Sequence, residues 1–291
     1  MRKLLCVLLL MAMLAPAALA EEAADFALPM DFTPGHVADP ANFTENSYED
    51  ESLSIRMERI QEDGVTYNVA RVKIADPSQL RTGLEDPERG KKSNYVHTIA
   101  QKYNAVLAIS ADFFVKNSVG YVVRQNEVYR KKPSKVRDML LIDSNGDFHV
   151  IYKSDATELQ TLLAREDVTF PNIFNFGPVL VDGGEVIAIP DNYEFNLGRV
   201  EPRCAIGQAG PLEYVLVVAD GRSSSSTGAT GAQLAQFMAS QGCVTAYNLD
   251  GGDTALMWFN GEYYSRQTKR SQSDIIYFAT AVDFGLDGTE E

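Results

Sequence analysis

Short runs of alternating apolar residues, joined in pairs by two-residue turns, dominate this 291-residue sequence. Alternation with a period of two is typical of strands with one buried face, and Asp-Gly or Asn-Gly between two such runs indicates a β-hairpin. Turns of this kind, together with one Gln-Asn pair, occur at Asp63-Gly64, Gln125-Asn126, Asn145-Gly146 and Asp182-Gly183. The chain is therefore predicted to be rich in antiparallel sheet.

Helical spacing is confined to three segments, each with a capping residue near its start: 93–103 after Ser93, 155–163 with Asp155 and Glu158, and 230–241 with Thr230 and Gln233. Ser, Thr and Asp accept hydrogen bonds from the first free amides of a helix, and a Glu or Gln three residues later completes a capping box. Because strands and helices do not alternate regularly, the predicted fold class is α+β, with antiparallel or mixed β-sheets, about three helices packed on them, and a single domain.

The N-terminus has the features of a secretory signal peptide over residues 1–20. Arg2-Lys3 is followed by an apolar run and then by the A-x-A cleavage site Ala18-Leu19-Ala20, so the mature chain is expected to begin at Glu21. The apolar run is too short to favour a membrane span, and no stable span is expected after cleavage. The protein is expected to be secreted or extracytoplasmic, in the periplasm or at the cell surface.

The mature chain is predicted to comprise a poorly ordered acidic leader (21–50), the folded domain (51–285) and an acidic tail (286–291). Without residues 1–20 it carries 24 basic and 40 acidic residues, a net charge of −16, which argues against nucleic acid or an anionic membrane as a partner. Only Cys204 and Cys243 remain, both in apolar stretches that favour free buried thiols. The sequence does not predict an oligomeric state.

Several common kinds of site are absent from the sequence. The three histidines lie far from any metal-ligand spacing, and there is no G-x-S-x-G motif, P-loop or dinucleotide fingerprint. Neither a metal nor a cofactor is therefore expected.

The segment 244–259 carries an unusual turn, Asp250-Gly251-Gly252-Asp253, between two runs of β-forming residues. This pattern predicts strand, tight turn, strand. Glycines allow positive φ and close approach to the backbone, and two glycines between two acids exceed what a simple turn requires. A structural turn with solvated acids is the alternative.

Further acids and arginines stand at predicted strand ends: Asp112, Arg203, Asp220 and Arg222. Paired carboxylates serve glycosyl transfer to water, and arginines bind phosphate or carboxylate in a bidentate manner. The hydroxyl-rich loop 223–231, which opens a helix at Thr230, has the character of an anion site, with a flexible linker as the alternative.

Five motifs occur in an order that resembles the phosphodiester glycosidase domain family over about residues 90–282: 108–114 (AISADFF), 177–183 (GPVLVDG), 202–207 (PRCAIG), 220–222 (DGR) and 248–252 (NLDGG). Segments 120–124 and 270–276 also look like bacterial members of the family. The resemblance implies hydrolysis of the bond between a sugar anomeric carbon and a phosphodiester oxygen.

The positions that match the family's motifs are Asp112, Arg203, Asp220, Arg222, Asn248, Asp250, Gly251 and Gly252. The resemblance implies catalytic roles for Asp250, Asp112 and Asp220. The implied substrate- and phosphate-binding residues are Arg203, Arg222, Asn248, Gly251 and Gly252. Asp253 of the turn and Thr230 at the helix start are added to the predicted binding residues from their position in the sequence. The chain departs from the family pattern at Ser110-Ala111, at Cys204 and at Asp253-Thr254-Ala255, where the family has a third glycine and serines.

The expected function is that of an exported hydrolase acting on a sugar-1-phosphodiester in cell-surface or extracellular polymer, with N-acetylglucosamine as one candidate sugar. One alternative is a catalytically silent carbohydrate- or polymer-binding protein in which Asp253 closes the site. Another is a metal-dependent phosphodiesterase in which Asp112, Asp250 and Asp253 bind a divalent cation.

Overall fold

A computed structural model describes residues 25–286, in which strands outnumber α-helices eighteen to three. In chain order the strands are β1 (Ser47–Glu49), β2 (Leu53–Glu62), β3 (Val65–Ile74), β4 (Leu80–Leu84), β5 (Leu107–Ser110), β6 (Gly120–Arg124), β7 (Glu127–Lys132), β8 (Met139–Ile142), β9 (Phe148–Ile151), β10 (Asn172–Phe174), β11 (Val179–Asp182), β12 (Glu185–Val186), β13 (Arg203–Gly210), β14 (Glu213–Ala219), β15 (Thr245–Asn248), β16 (Met257–Phe259), β17 (Glu262–Tyr263) and β18 (Asp274–Phe278). The helices are α1 (Val96–Lys102), α2 (Ala156–Leu163) and α3 (Gly231–Ser240).

These strands form three antiparallel sheets. The largest has eight strands in the order β1-β2-β3-β14-β13-β15-β11-β12. The other two have five strands each, in the orders β7-β6-β10-β8-β9 and β17-β16-β5-β18-β4. All four hairpins predicted from the two-residue turns are present, as β2–β3, β6–β7, β8–β9 and β11–β12.

One hydrophobic core is shared by all three sheets, because each turns one apolar face inward. Ile206 of β13, Ile276 of β18 and Leu140 of β8 belong to the same buried cluster. The outer face of each sheet is covered by one helix: α3 packs on the large sheet, α1 on the β5 sheet and α2 on the β8 sheet. This arrangement confirms the α+β prediction, with about three helices on antiparallel sheets.

The two cysteines of the described chain are buried free thiols on opposite faces of the large sheet. Cys204, on β13, points into the shared core, whereas Cys243 follows α3 and packs beneath that helix. The sheet separates the two sulfur atoms.

The caps of α2 and α3 agree with the sequence, while the start of α1 does not. The Asp155 side chain accepts from the amides of Thr157 and Glu158, and Thr230 with Gln233 forms the predicted capping box. The prediction of Ser93 as the cap of α1 is wrong, because α1 begins at Val96 without a side-chain cap. Asn94, which directly follows Ser93, instead forms an antiparallel β-bridge with Gln272.

The part of the predicted acidic leader that the structure describes, from residue 25 to 50, packs against the body of the domain. The buried Arg81 donates through Nη2 to the carbonyls of Asp31 and Thr33, both at 2.9 Å, and β1 pairs with β2. The expectation of poor order is therefore corrected for these residues. The predicted signal peptide, and the acidic tail beyond Leu286, lie outside the described residues.

Within residues 25–286, no helix has the length and apolar character needed to cross a membrane.

Candidate functional site

The turn at Asp250–Asp253 carries the chain from one sheet to another. β15 pairs with β13 and β11, whereas β16 pairs with β5, so the strands on either side of the turn do not pair with each other. Both glycines are required by the backbone. Gly252 has φ +65°, and a Cβ on Gly251 would lie 2.8 Å from the Pro202 carbonyl oxygen.

Asp250 lies at the point where the two sheets meet. Its amide donates to the Ala111 carbonyl just beyond β5 (3.0 Å), and its Oδ1 accepts from the Gly251 amide (3.0 Å). Its Oδ2 is buried and has no hydrogen-bond partner among the described residues. Burial raises the pKa of this carboxyl to about 6, and the nearby charge of Asp112 acts in the same direction.

Asn248 supplies a second unpartnered acceptor. Its Nδ2 donates to the Gly177 carbonyl at 2.8 Å, which fixes the amide plane. Its Oδ1 is buried and, within residues 25–286, receives no hydrogen bond. Buried acceptors are normally satisfied, so two unsatisfied oxygens within three residues set this end of β15 apart from the rest of the core.

Asn248 and Asp250 line a cavity of about 220 Å³ at the end of β15. One wall is aromatic, because the rings of Phe176 and Phe195 stack with centroids 4.0 Å apart and planes 3° from parallel. The lining residues are Phe176, Phe195, Asn196, Glu201, Arg203, Arg222, Asn248, Leu249, Asp250, Gly251 and Gly252. The cavity thus combines a flat apolar wall with carboxylates, an amide and two arginines.

Arg203 opens β13 and anchors two loops to the cavity. Its Nε donates to the Ala229 carbonyl (3.0 Å), and its Nη2 donates to the carbonyls of Asn196 (3.1 Å) and Arg199 (2.7 Å). Burial lowers the pKa of this guanidinium to about 10, so it remains charged at neutral pH. Within the described chain Nη1 makes no hydrogen bond, and it is therefore the donor left for a ligand.

Arg222 also lines the cavity and is held between two acids. Its Nε donates to Glu201 at 2.7 Å and its Nη1 to Asp253 at 2.9 Å. The hydrogen bond to Glu201 is the largest cause that raises the pKa of Arg222. Asp253 stands where the resembled family has glycine, so in this chain one face of the arginine is already neutralised by a residue that the family pattern lacks.

Asp112 lies in a buried ionic cluster that spans three chain segments. Its Oδ1 accepts from the Phe114 amide and lies 2.9 Å from Arg124 Nη2, while Arg124 Nε donates to Asp274 at 2.8 Å. The guanidinium also stacks 4.0 Å from the Phe174 ring centroid. Asp112 does not line the cavity, and its contacts are those of an ion pair that positions the end of β5.

Arg124 remains charged despite its complete burial. Burial alone would lower its pKa, but the charges of Asp112 and Asp274 outweigh that effect and raise it. Burial raises the pKa of Asp274, the second acid of the pair. Two carboxyls thus share one guanidinium in the core.

Two residues predicted for the site, Asp220 and Thr230, do not line the cavity. Asp220 accepts from the Arg266 amide at 2.9 Å, and the hydroxyl of Thr230 caps α3. The serine loop between them is tied internally, since Ser226 Oγ donates to the Asp220 carbonyl and accepts from the Thr66 amide. These contacts give the loop a structural role beside the site.

The sequence reasoning missed five cavity residues, namely Phe176, Phe195, Asn196, Glu201 and Leu249. Phe195 and Asn196 lie in an irregular segment with positive φ (71° and 52°), for which the sequence contains no recognisable turn motif. Glu201 stands two residues before Arg203, and its proximity to the arginines was the signal that could have identified it.

The acids proposed for metal binding do not form a metal site in the structure. Among residues 25–286, no group of three or more His, Cys, Asp or Glu side chains is arranged to hold a metal ion. Asp112 is paired with Arg124, and Asp253 with Arg222. This donor set does not fit a resident divalent cation.

Comparison with known sequences places this site within a family. The family model described as phosphodiester glycosidase matches residues 103–279. The SPbeta prophage-derived uncharacterized protein YomE of Bacillus subtilis is 34% identical over 196 residues, covering 66% of this chain and 29% of that protein. The chain therefore spans less than a third of the length of this curated relative.

Two solved structures share the fold at low sequence identity. A hypothetical protein from Synechocystis superposes with a TM-score of 0.58 at 17% identity, over 78% of this chain and 62% of that one. The catalytic domain of zebrafish N-acetylglucosamine-1-phosphodiester alpha-N-acetylglucosaminidase, described as auto-inhibited by its pro-peptide, gives 0.58 at 15% identity over 84% and 86%. Because the family model covers more than half of the sequence, the chain belongs to the phosphodiester glycosidase family, a family of hydrolases.

Proposed function

We propose that this protein is an exported hydrolase that releases a sugar from a sugar-1-phosphodiester, in cell-surface or extracellular polymer. The observation that carries the proposal is that a carboxyl, an amide and two arginines line one cavity. Asp250 and Asn248 carry oxygen acceptors that suit sugar hydroxyls, and Arg203 and Arg222 offer donors to a phosphate. The name of the zebrafish structural neighbour supports the same bond and N-acetylglucosamine as a candidate sugar.

The aromatic wall fits the same substrate. A sugar ring presents C–H groups on one face and hydroxyls at its rim. The stacked Phe176 and Phe195 suit the apolar face, and the polar residues of the same 220 Å³ cavity suit the hydroxyls. The space accommodates one small polar ring, with the rest of the substrate outside.

The chemistry of the leaving group assigns the role of Asp250. Water adds to the anomeric carbon, the C1–O bond breaks, and its electron pair leaves with the phosphate, which departs as a phosphate monoester. Because a phosphate monoester has a second pKa of about 6, it leaves as a stable anion and needs little protonation. The main demand is therefore for a carboxylate that takes a proton from water or attacks the carbon, and Asp250 has a pKa of about 6 that suits this role.

The two carboxylate roles give different products. A base activates water directly and inverts the anomeric configuration, whereas a nucleophile forms a glycosyl ester that water then cleaves with overall retention. Proton NMR of the sugar released in the first minutes of reaction, before mutarotation, distinguishes the two roles.

Substitution of Arg203 by Lys is expected to lower kcat/KM about tenfold to a hundredfold. A lysine ammonium cannot reach the carbonyls of Asn196, Arg199 and Ala229 while also facing the cavity, and each hydrogen bond to a charged group contributes about 1.5–3 kcal/mol. Arg199→Lys is the matched control, since its exposed side chain makes no hydrogen bond or ion pair in the described chain. Equal kinetics for the Arg203→Lys and control variants would refute the anchoring role.

Substitution of Asp253 by Gly is expected to lower KM several-fold, with kcat equal or higher. The change restores the family residue and removes one of the two carboxylates that occupy Arg222. This exposed pair contributes only about 0–1 kcal/mol of stability, so the fold should be retained. Asp253→Asn keeps the size without the charge and should shift KM in the same direction, and a KM that rises in both variants contradicts this reading.

The decisive experiment measures free sugar released from a panel of sugar-1-phosphodiesters, with and without EDTA. Release that EDTA does not affect supports the proposal. Binding of the same diesters without release would instead favour a silent binding protein, in which Asp253 neutralises the arginine that turnover needs. Release abolished by EDTA and restored by a divalent cation would favour a metal-dependent phosphodiesterase.

A further inference from the structure

A second cavity, of about 460 Å³, lies beside the candidate active site and is not used by the reaction described above. Its walls are largely apolar and aromatic, with Val136, Tyr152, Pro178, Ile187 and Tyr193 among them. Two cationic side chains, Lys135 and Lys153, are also part of the lining. Cavities with mostly apolar walls and a few polar groups are typical of small-molecule sites.

The same two chain segments border both cavities. In the first segment Phe176 lines the small cavity and Pro178 lines the large one. In the second segment Glu194 lines the large cavity and Phe195 the small one. Neighbouring residues two apart in an extended chain are separated by about 7 Å, which is within the length of one phosphodiester substrate.

The buried acid Asp138 connects chain segments that line the large cavity. Both carboxylate oxygens of Asp138 accept backbone amides, Oδ1 from Lys153 at 2.8 Å and Oδ2 from Val179 at 3.1 Å. The amide of Asp138 donates to the Tyr193 hydroxyl at 2.8 Å, and this hydroxyl donates to the Phe176 carbonyl at 3.3 Å. The cavity is therefore held in shape by buried hydrogen bonds that reach the wall of the small cavity.

Apolar surface is left uncovered at this place. Val136 is 54% exposed and Tyr152 38% exposed, and the neighbouring Val186 is 45% exposed. Within the described chain, neither Lys135 nor Lys153 has a carboxylate in ion-pair distance. Uncovered apolar side chains next to unpaired ammonium groups fit a ligand that is apolar at one end and anionic at the other.

We infer that the large cavity binds the leaving-group half of the substrate, an apolar or aromatic alcohol esterified to the phosphate. The inference rests on the proposed function. The sugar occupies the small cavity beside Asp250, the alcohol lies against Val136 and Tyr152, and the ammonium groups face the phosphate monoester that is released. The enzyme therefore discriminates among substrates by the alcohol as well as by the sugar.

The test compares the methyl and phenyl diesters of one sugar-1-phosphate. The wild-type protein is expected to show a KM about tenfold lower for the phenyl diester, because burial of an aromatic ring is favourable. Val136→Asn should remove this preference, because it raises KM for the phenyl diester several-fold more than KM for the methyl diester. Val128→Asn is the matched control, since Val128 is 46% exposed and lines neither cavity.

A second measurement does not depend on turnover. Phenyl phosphate should bind the wild-type and Val128→Asn proteins in calorimetry and bind Val136→Asn several-fold more weakly. Absence of binding, or equal binding by all three proteins, overturns the inference. If no diester of any kind is hydrolysed, the proposed function fails, and the binding comparison alone decides whether the cavity accepts an apolar phosphate ester.

Discussion

Asp250→Asn is expected to abolish release of sugar, with kcat lowered by at least about a thousandfold while the substrate still binds. The amide preserves the hydrogen bond from Gly251 but can neither take a proton from water nor attack the anomeric carbon. Loss of a reacting carboxylate removes stabilisation of the transition state specifically. Asp220→Asn is the matched control, because Asp220 does not line the cavity and an amide oxygen can still accept from the Arg266 amide.

The pH profile of the wild-type protein provides an independent check of the same residue. The proposed role requires Asp250 to be ionised, and burial raises its pKa to about 6, so activity should rise with pH through about 6 and then level off. A profile that falls through pH 6 would make Asp250 a proton donor instead. If Asp220→Asn lowers kcat as much as Asp250→Asn does, Asp250 is not the specific reacting carboxylate.

Asp250→Asn should leave the protein as stable as the wild type, or more stable, at pH 7. The folded-state pKa of Asp250 lies above that of the unfolded chain, so the folded state binds its proton more tightly. The stability of the wild type therefore decreases as pH rises from about 4 to 6, by no more than about 3 kcal/mol. Thermal melts at pH 4.5 and 7 should show a larger decrease in the wild type than in Asp250→Asn, because other buried acids such as Asp274 contribute equally to both proteins.

Arg124→Met is expected to produce the largest loss of stability, about 3–5 kcal/mol, or a decrease in Tm on the order of 10 °C. The substitution removes the cation and leaves Asp112 and Asp274 buried without a partner for their charge. Arg56→Met, on the exposed face of β2, is the control and should change Tm little. Thermal unfolding followed by circular dichroism makes the comparison.

A triple variant separates the charge from the packing. If the loss comes from unpaired carboxylates, Arg124→Met combined with Asp112→Asn and Asp274→Asn should recover much of the stability, because uncharged groups cost less to bury. A triple variant no more stable than Arg124→Met would show that the guanidinium matters through its packing on Phe174.

Local chemistry explains which parts of the fold were predictable. A hairpin such as β8–β9 requires only an Asn-Gly turn and two alternating runs, so all its determinants lie within about a dozen residues. The cap of α3 is local in the same sense. The pairing of β15 with β13 and of β16 with β5 is not local, because each joins segments far apart along the chain and places the consecutive strands β15 and β16 in different sheets.

The site shows the same division between local and long-range determinants. Asp250 was recognisable because the two glycines after it made the turn unusual. The partner of Asp112 is not recognisable from the sequence, since Arg124 lies on another sheet. Asp274, which shares Arg124, follows that arginine by 150 residues. In the sequence, the segment 120–124 that contains Arg124 stands out only through its similarity to bacterial members of the family. Pairing with a buried cation gives Asp112 a positioning contact that its place at a strand end does not reveal.

The separation of the two cysteines has a practical consequence for this protein. Cys204 and Cys243 lie on opposite faces of the large sheet, and burial raises the pKa of both thiols, so neither is a reactive thiolate. The described chain therefore reaches its fold without an oxidative step. Recombinant material made in a reducing cytoplasm should match material made in an oxidising compartment in activity, and assays can include dithiothreitol without loss.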